Sequence, residues 1–547
     1  MKKLLSALAI IVLIFILYTP GASSMAPMQT ALKKSWTQIW GGSGSEDANA
    51  IAIDSSGNLY VAGEFSGIVD FDPTHADPPH TSNGVQDAFL TKWDANGNFL
   101  WARTWGGAGR DVAYSVAVDS SGNAYVTGPY RNTVDFDPGP GVTSYTSNAG
   151  ASNNVYFSKF DTNGTFKWVR TWGPSNGGAE GYSIAIDPSD NIFLVGDFNI
   201  GTPGGTCDFN PWGGHDLRTS HGFYDGFLTR FDPNGTFQWA KTWGGWGYDD
   251  TTGVAVDGSN GVYVTGMYGS TDINFDPAGG DGGKNHPAHD NSFLYVDVYL
   301  TKFTPAGAFQ WVRTWGGAGT TEAGQKILVD HAHNIYVAGR FECSNCNFDG
   351  TGMTQDIHST NGGLGDLPNQ TDFDAFVSKY DASGAFLWAR TWGGAHWDSA
   401  QGIAVDDANN LYVTGVFNQI VCDPAHPTVP PACPASLAST VDFDPGPGTA
   451  LVTSNLYSDV FLSKFDPGGN FLWVKTWGAN GADGGNGVAF NTAGDLYVIG
   501  WFEDSVDFVP GPDVDVHTSH GLEDAFLSKF TAIDLPFSIF LPGVRAQ

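Results

Sequence analysis

Asp87-Ala-Phe-Leu-Thr-Lys-Trp-Asp-Ala-Asn-Gly-Asn-Phe-Leu-Trp-Ala-Arg-Thr-Trp105 reads as one hairpin, and the same pattern recurs down the whole chain. Two β-rich runs flank Asp94-Ala95-Asn96-Gly97, which suits a type I turn with Gly97 in the left-handed conformation. Later copies place Pro233, Pro305 and Pro467 at the second turn position, where a fixed negative φ is wanted. A second hairpin follows: Ser115-Val-Ala-Val-Asp119, the turn Ser120-Ser-Gly-Asn123, then Ala124-Tyr-Val-Thr-Gly128. It recurs at 51–65, 184–198, 254–268, 327–341, 403–417 and 488–502. The dipeptide Trp-Gly opens seven copies, at Trp40, Trp105, Trp172, Trp243, Trp315, Trp392 and Trp477. No helical periodicity interrupts them. Four strands in each of seven units predict an all-β fold, a seven-bladed β-propeller of four-stranded antiparallel blades.

The two ends of the array predict how the ring closes. Lys34-Ser-Trp36-Thr-Gln-Ile-Trp40-Gly-Gly matches only a fourth strand, and the last copy stops after a third, Asp524-Ala-Phe-Leu-Ser-Lys-Phe530. An N-terminal strand completing the last blade hides two sheet edges at once. The expected organisation is residues 1–24 as a signal peptide or an uncleaved anchor, 25–32 as a linker, 33–531 as the propeller and 532–547 as a C-terminal tail. The signal reading rests on Lys2 and Lys3 before the apolar run Leu4–Tyr18, followed by small residues to Ser24.

Export agrees with the cysteines. Cys343 with Cys346, and Cys422 with Cys433, suggest two local disulfides, leaving Cys207 unpaired. A formal net charge of −32 excludes general affinity for nucleic acid or anionic lipid. Membrane association is expected only through an uncleaved N-terminal helix, and the expected state is a monomer.

Three motifs, Trp105-Gly-Gly-x-Gly-x-Asp111, Val116-Ala-Val-Asp-x-x-Gly-Asn-x-Tyr-Val-Thr-Gly128 and Asp459-x-Phe-Leu-Ser-Lys-Phe-Asp466, resemble the SBBP repeat of secreted and surface bacterial proteins. The resemblance covers nearly all of residues 33–531 and implies the propeller. It implies no catalytic motif, and none is carried over.

The remaining signals concern sites. The fourth-strand aromatics Phe99, Trp101 and Trp105 are expected between adjacent blades. The repeat cations, Lys92 and Arg103 with their counterparts, are expected to pair with repeat Asp residues. The recurring Val134-Asp-Phe-Asp-Pro-Gly segment places Asp135 and Asp137, and Asp442 and Asp444, two apart beside a Gly/Pro loop. That spacing suits Ca²⁺ ligation or capping of the turn. Glu46, Asp111, Asp249, Glu322, Asp398 and Asp483 precede first strands, where they either ring the channel mouth or hydrogen-bond the Gly-rich loop. His331-Ala-His333 has the spacing of a chelating pair but no third ligand. The insertions 272–297, 342–374 and 418–459 crowd one face. Nearby, Trp246, Tyr248, Asp249, His396, Trp397 and Asp398 combine aromatics with carboxylates and form the candidate ligand site. The expected function is a secreted or surface-exposed, non-catalytic binding scaffold for an extracellular glycan or protein. The alternatives are a glycan hydrolase or lyase on the same fold, and a structural or adhesive cell-envelope protein.

Overall fold

A computed structural model describes residues 31–148, 152–200, 204–259, 261–276, 288, 295–352, 355–361, 373–419, 438–509 and 513–533. Residues 34–531 form one compact unit. The two ends, 1–33 and 532–547, form the other, and nearly all of that unit lies outside the described residues. So do the expected signal segment 1–24, most of the linker and tail, Cys422 and Cys433, and the middles of the three insertions.

Seven four-stranded antiparallel sheets follow one another along the chain. Blade 1 consists of Glu46–Ile53, Leu59–Phe65, Asp87–Trp93 and Phe99–Trp105. Blades 2 to 6 repeat that order, with first strands Ser115–Val118, Gly178–Ile186, Asp249–Val256, Thr321–Val329 and Trp397–Val405. Blade 7 takes Asp483–Phe490, Leu496–Phe502 and Asp524–Ile533, and its fourth strand is the N-terminal Ala31–Trp40. The ring closes as expected. Thr37 and Ser528 hydroxyls hydrogen-bond at 2.8 Å across the closing pair.

The core lies between blades. Each repeat Trp packs on a third-strand aromatic of the following blade: Trp40 on Trp93 at 5.6 Å, Trp105 on Phe160 at 5.3 Å, Trp392 on Phe465 at 5.5 Å. The fourth-strand aromatics therefore do what the sequence suggests. The glycine after each Trp has a steric cause. A Cβ on Gly106 would stand 2.3 Å from Asp87 Cγ, and one on Gly41 would stand 2.1 Å from Asp524 Cγ. Gly97 adopts φ +83°, the left-handed turn position read from the sequence.

The repeat cations stitch blades together, with one departure from expectation. Lys159 pairs with Asp119 at 3.3 Å and donates to Pro233 O of the next blade at 3.2 Å. The fourth-strand arginines instead donate to turn carbonyls of the next blade: Arg103 Nε to Gly164 O at 2.8 Å, Arg390 Nε to Gly469 O at 2.7 Å. A guanidinium lying over Trp101 at 5.3 Å already has a π partner, so carbonyls complete its fork.

Among the described residues, six blades add a small two-stranded hairpin between their second and third strands, for example Thr133–Asp135 with Ser144–Thr146. It is anchored by buried apolar pairs such as Val134 and Phe136. In the sequence it reads only as a loop, because strands of two or three residues show too little alternation to register.

Candidate functional site at the channel mouth

First strands wall the central channel. In six of them a bulge pushes one residue out of register, as at Asn49, Tyr182, Thr252, Gln325, Gln401 and Asn486. Such bulges re-aim side chains. Asn49 Nδ2 donates to Ala113 O on the next blade at 3.4 Å, and Asn486 Nδ2 donates to Asp47 Oδ1 at 2.9 Å. Tyr114 and Tyr182 contact ring to ring at 5.6 Å.

Above this ring, blades 1 to 4 build a polar arc. Arg110 donates to Glu64 Oε1 at 2.7 Å, to Gln86 Oε1 at 2.8 Å and to Tyr114 Oη at 3.2 Å. Asp47, beside Glu64 and Glu523, is pushed up to about 8, chiefly by burial. Farther round, Tyr182 Oη donates to Glu180 Oε2 at 3.2 Å and lies 3.4 Å from Asp197 Oδ2. Asp197 hydrogen-bonds Asp250 carboxyl to carboxyl. Each has a buried Oδ1 with no N–H or O–H donor, so the pair needs a shared proton. Burial, with each other's charge and Glu180 nearby, raises Asp197. Tyr224, raised to about 12 by burial and these carboxyls, packs on Tyr248 at 4.9 Å. Across the mouth, Arg340 lies over Phe373 at 4.9 Å and over Trp397 at 4.8 Å.

The residues expected from sequence divide into several places. Trp246 is 58% exposed and packs on Phe223 at 6.0 Å, and Tyr248 joins the same cluster. Trp397 belongs to the arginine sandwich two blades away. His396 lines a separate depression of about 550 Å³ with Asn361, Ser439, Asp442 and Leu451. Asp249 and Asp398 are buried. Asp249 accepts from Gly245 N at 2.7 Å and Ser270 Oγ at 2.6 Å, and Asp398 from Gly394 N at 2.7 Å and Asn418 N at 3.0 Å. These two hold the Gly-rich loop rather than presenting a carboxylate to solvent. Asp111 does the same through Gly107 N and Arg131 N.

The Asp pairs on the small hairpins staple them. Asp135 Oδ1 accepts from Thr143 N at 2.7 Å and Asp442 Oδ1 from Ala450 N at 2.8 Å, while Asp137 and Asp444 accept from Gly139 N and Gly446 N. Asn347 performs the same closure on Asp356 N at 3.1 Å, so the task needs an oxygen and not a charge. Among the described residues, only Glu322, Cys343 and Cys346 gather three metal-ligand atoms within 4.8 Å. The expected Cys343–Cys346 disulfide engages both sulfurs, and Cys207 is free and buried. His331 meets Asn409 Oδ1 at 3.2 Å, whereas His333 lies 4.0 Å from Asp257. They share no ligand.

Sequence reading missed Glu180, Asp197, Asp250, Tyr182, Arg110 and Arg340. A signal existed: one residue beyond the repeat-acid position, which is Ala179 in blade 3, Asp47, Glu180 and Asp250 stand where other blades carry Val112, Ala323 and Gly484. Departures from the repeat, more than the repeat itself, mark the mouth.

Seven four-stranded sheets around a polar channel define the class, a seven-bladed propeller. Two stretches carry the repeat itself: the SBBP family's beta-propeller repeat matches residues 35–64 and 100–128. The chain is similar to an uncharacterised WD repeat-containing protein of Acanthamoeba polyphaga mimivirus, 26% identical over 423 residues, 68% of this chain and 29% of that one. It is also similar to the regulatory protein FlaEY of Caulobacter vibrioides, 27% identical over 225 residues, 38% of this chain and 22% of that one. The chain thus spans less than a third of either relative. A gluconolactonase from Xanthomonas campestris aligns with 70% of this chain and 95% of its own at 10% identity and a TM-score of 0.28, a likeness too slight to argue from.

Proposed function

We propose that this propeller is a secreted or surface-exposed binding scaffold that takes a glycan at the channel mouth. The carrying observation is the buried Asp197–Asp250 carboxyl pair beside the Tyr182 hydroxyl and the rings of Tyr114, Tyr224 and Tyr248. Aromatic faces stack on sugar C–H surfaces, while clustered carboxyl and phenol oxygens exchange hydrogen bonds with hydroxyls. The disulfide supports an oxidising compartment. On a glycan array the parent protein is expected to retain at least one glycan. Tyr182→Ala and Asp197→Asn should weaken that binding about tenfold or more, as expected for loss of buried polar contacts. A parent that binds no glycan but captures a protein ligand at the same face would replace the glycan with a protein partner.

One observation favours a hydrolase or lyase as the second reading. A carboxyl whose pKa burial raises suits general-acid work, and Asp197 is such a group. Release of new reducing ends from a bound glycan, lost in Asp250→Asn with binding retained, would favour that reading.

A further inference from the structure

Lys326 is a cation with no counterpart in the repeat. At the register just after the channel bulge, six blades carry Ala50, Ser115, Ser183, Gly253, Gly402 and Gly487, and blade 5 carries Lys326. The small residues have an architectural cause: a Cβ on Gly402 would stand 2.9 Å from Gly487 Cα. Nothing in the fold calls for a long cationic side chain there.

Lys326 is half-buried, and among the described residues its ammonium has no hydrogen bond, ion pair or aromatic partner. The repeat lysines behave otherwise: Lys92, Lys159, Lys379, Lys464 and Lys529 each face a turn Asp at 2.8 to 3.6 Å. Burial alone lowers the Lys326 pKa, and no carboxylate opposes the shift. An ammonium taken out of water without a partner is destabilising, because its lost hydration is not replaced. Lys326 keeps partial accessibility, and it stands on a first strand, the strand that walls the channel. Polar groups of the same wall lie one strand away. Ser399 Oγ donates to Gln325 Oε1 at 2.7 Å, and Gln401, at the next bulge, has a buried Oε1 with no donor.

We propose that Lys326 is the anion-binding group of the channel and receives the carboxylate of an acidic sugar, whose hydroxyl supplies the donor that Gln401 Oε1 lacks. The anion site follows from the channel wall itself; the sugar identity rests on the glycan reading above. The charge at the mouth does not bar entry, since burial pushes Asp47 up to about 8 and Asp250 up to about 7, and raises Asp197 in the same direction.

The test is calorimetric titration of the full chain with D-galacturonate, D-galactose and acetate. The parent is expected to bind galacturonate about tenfold more tightly than galactose, the range of one charge-assisted contact. Lys326→Met should erase that preference and Lys326→Arg should keep it. Thermal melting separates folding from binding: Lys326→Met should melt no lower than the parent, because it removes an unpaired buried charge. Equal binding of galactose and galacturonate by the parent overturns the Lys326 assignment and leaves the glycan reading standing. Acetate binding that Lys326→Met abolishes, with neither sugar bound, upholds the anion site and overturns the glycan reading. Binding of none of the three overturns both.

Discussion

A chain lacking residues 34–40 will be oligomeric or insoluble, and Trp40→Ala in the full chain will be destabilised by about 3–5 kcal/mol, the usual range for emptying a buried tryptophan site. The segment is the fourth strand of blade 7. Without it, Asp524–Ile533 becomes an exposed edge, ready to pair with another chain. Trp40 is 1% exposed, stacked on Trp93 and edge-on to Phe89 at 6.1 Å. Its loss therefore opens the blade 7–blade 1 interface and loosens the closing strand, which is held to Asp524–Ile533 without covalent continuity inside blade 7. Trp36, half-buried and 6.0 Å from Tyr497, should be milder when replaced by Ala. Gel filtration and thermal melting measure the effect, and a synthetic peptide spanning residues 31–41 should restore the monomer to the truncated chain. A truncated chain that stays monomeric with the parent melting point would show that the closing strand does not hold the ring.

Thermal stability is expected to be highest near pH 4–5 and to fall as pH rises through 6 to 8. Burial is the first cause for every raised carboxyl that sets this window: Asp111 at about 6, Asp249 and Asp459 at about 7, Glu46 and Asp47 at about 8. In the unfolded chain they titrate near 4. Between these limits the folded protein holds protons that the unfolded chain has lost. The stabilisation is complete below the unfolded value and vanishes as pH passes the folded ones. The acid limit comes from groups shifted the other way. Desolvation works to raise Asp161, but hydrogen bonds from Lys167 and from the Thr165 and Asn163 amides prevail and hold it at about 2. That contribution is present above the unfolded value and is lost as pH falls towards 2. Differential scanning calorimetry should give a midpoint lower at pH 8 than at pH 5, by on the order of 5 °C given the entropy scale of a chain this long. Asp459→Asn should flatten the slope, since blade 2 already carries Asn154 at that third-strand position. A midpoint at pH 8 equal to or above that at pH 5 would refute the buried-carboxyl account.

The chain's own residues, read in order, determined the blade count, the four strands, the turn chemistry and the closing strand. These follow from short-range physics: Gly97 fixes a turn locally, and alternation along Phe99, Trp101 and Trp105 declares a buried face within seven residues. The sequence also held the Cys343–Cys346 link, because three residues of separation leave little else to decide. Only the tertiary structure decided which carboxylates work on the loop and which face the channel. Asp249 and Asp250 are adjacent and chemically identical, yet one is turned into the Gly-Gly loop and the other towards Asp197. Strand alternation sends neighbours to opposite sides, and the side that becomes the channel exists only once seven blades have closed. Lys326 is the same case. Along the chain it is one more lysine, and only the strand register of the closed ring shows that the other six blades carry small residues where it stands.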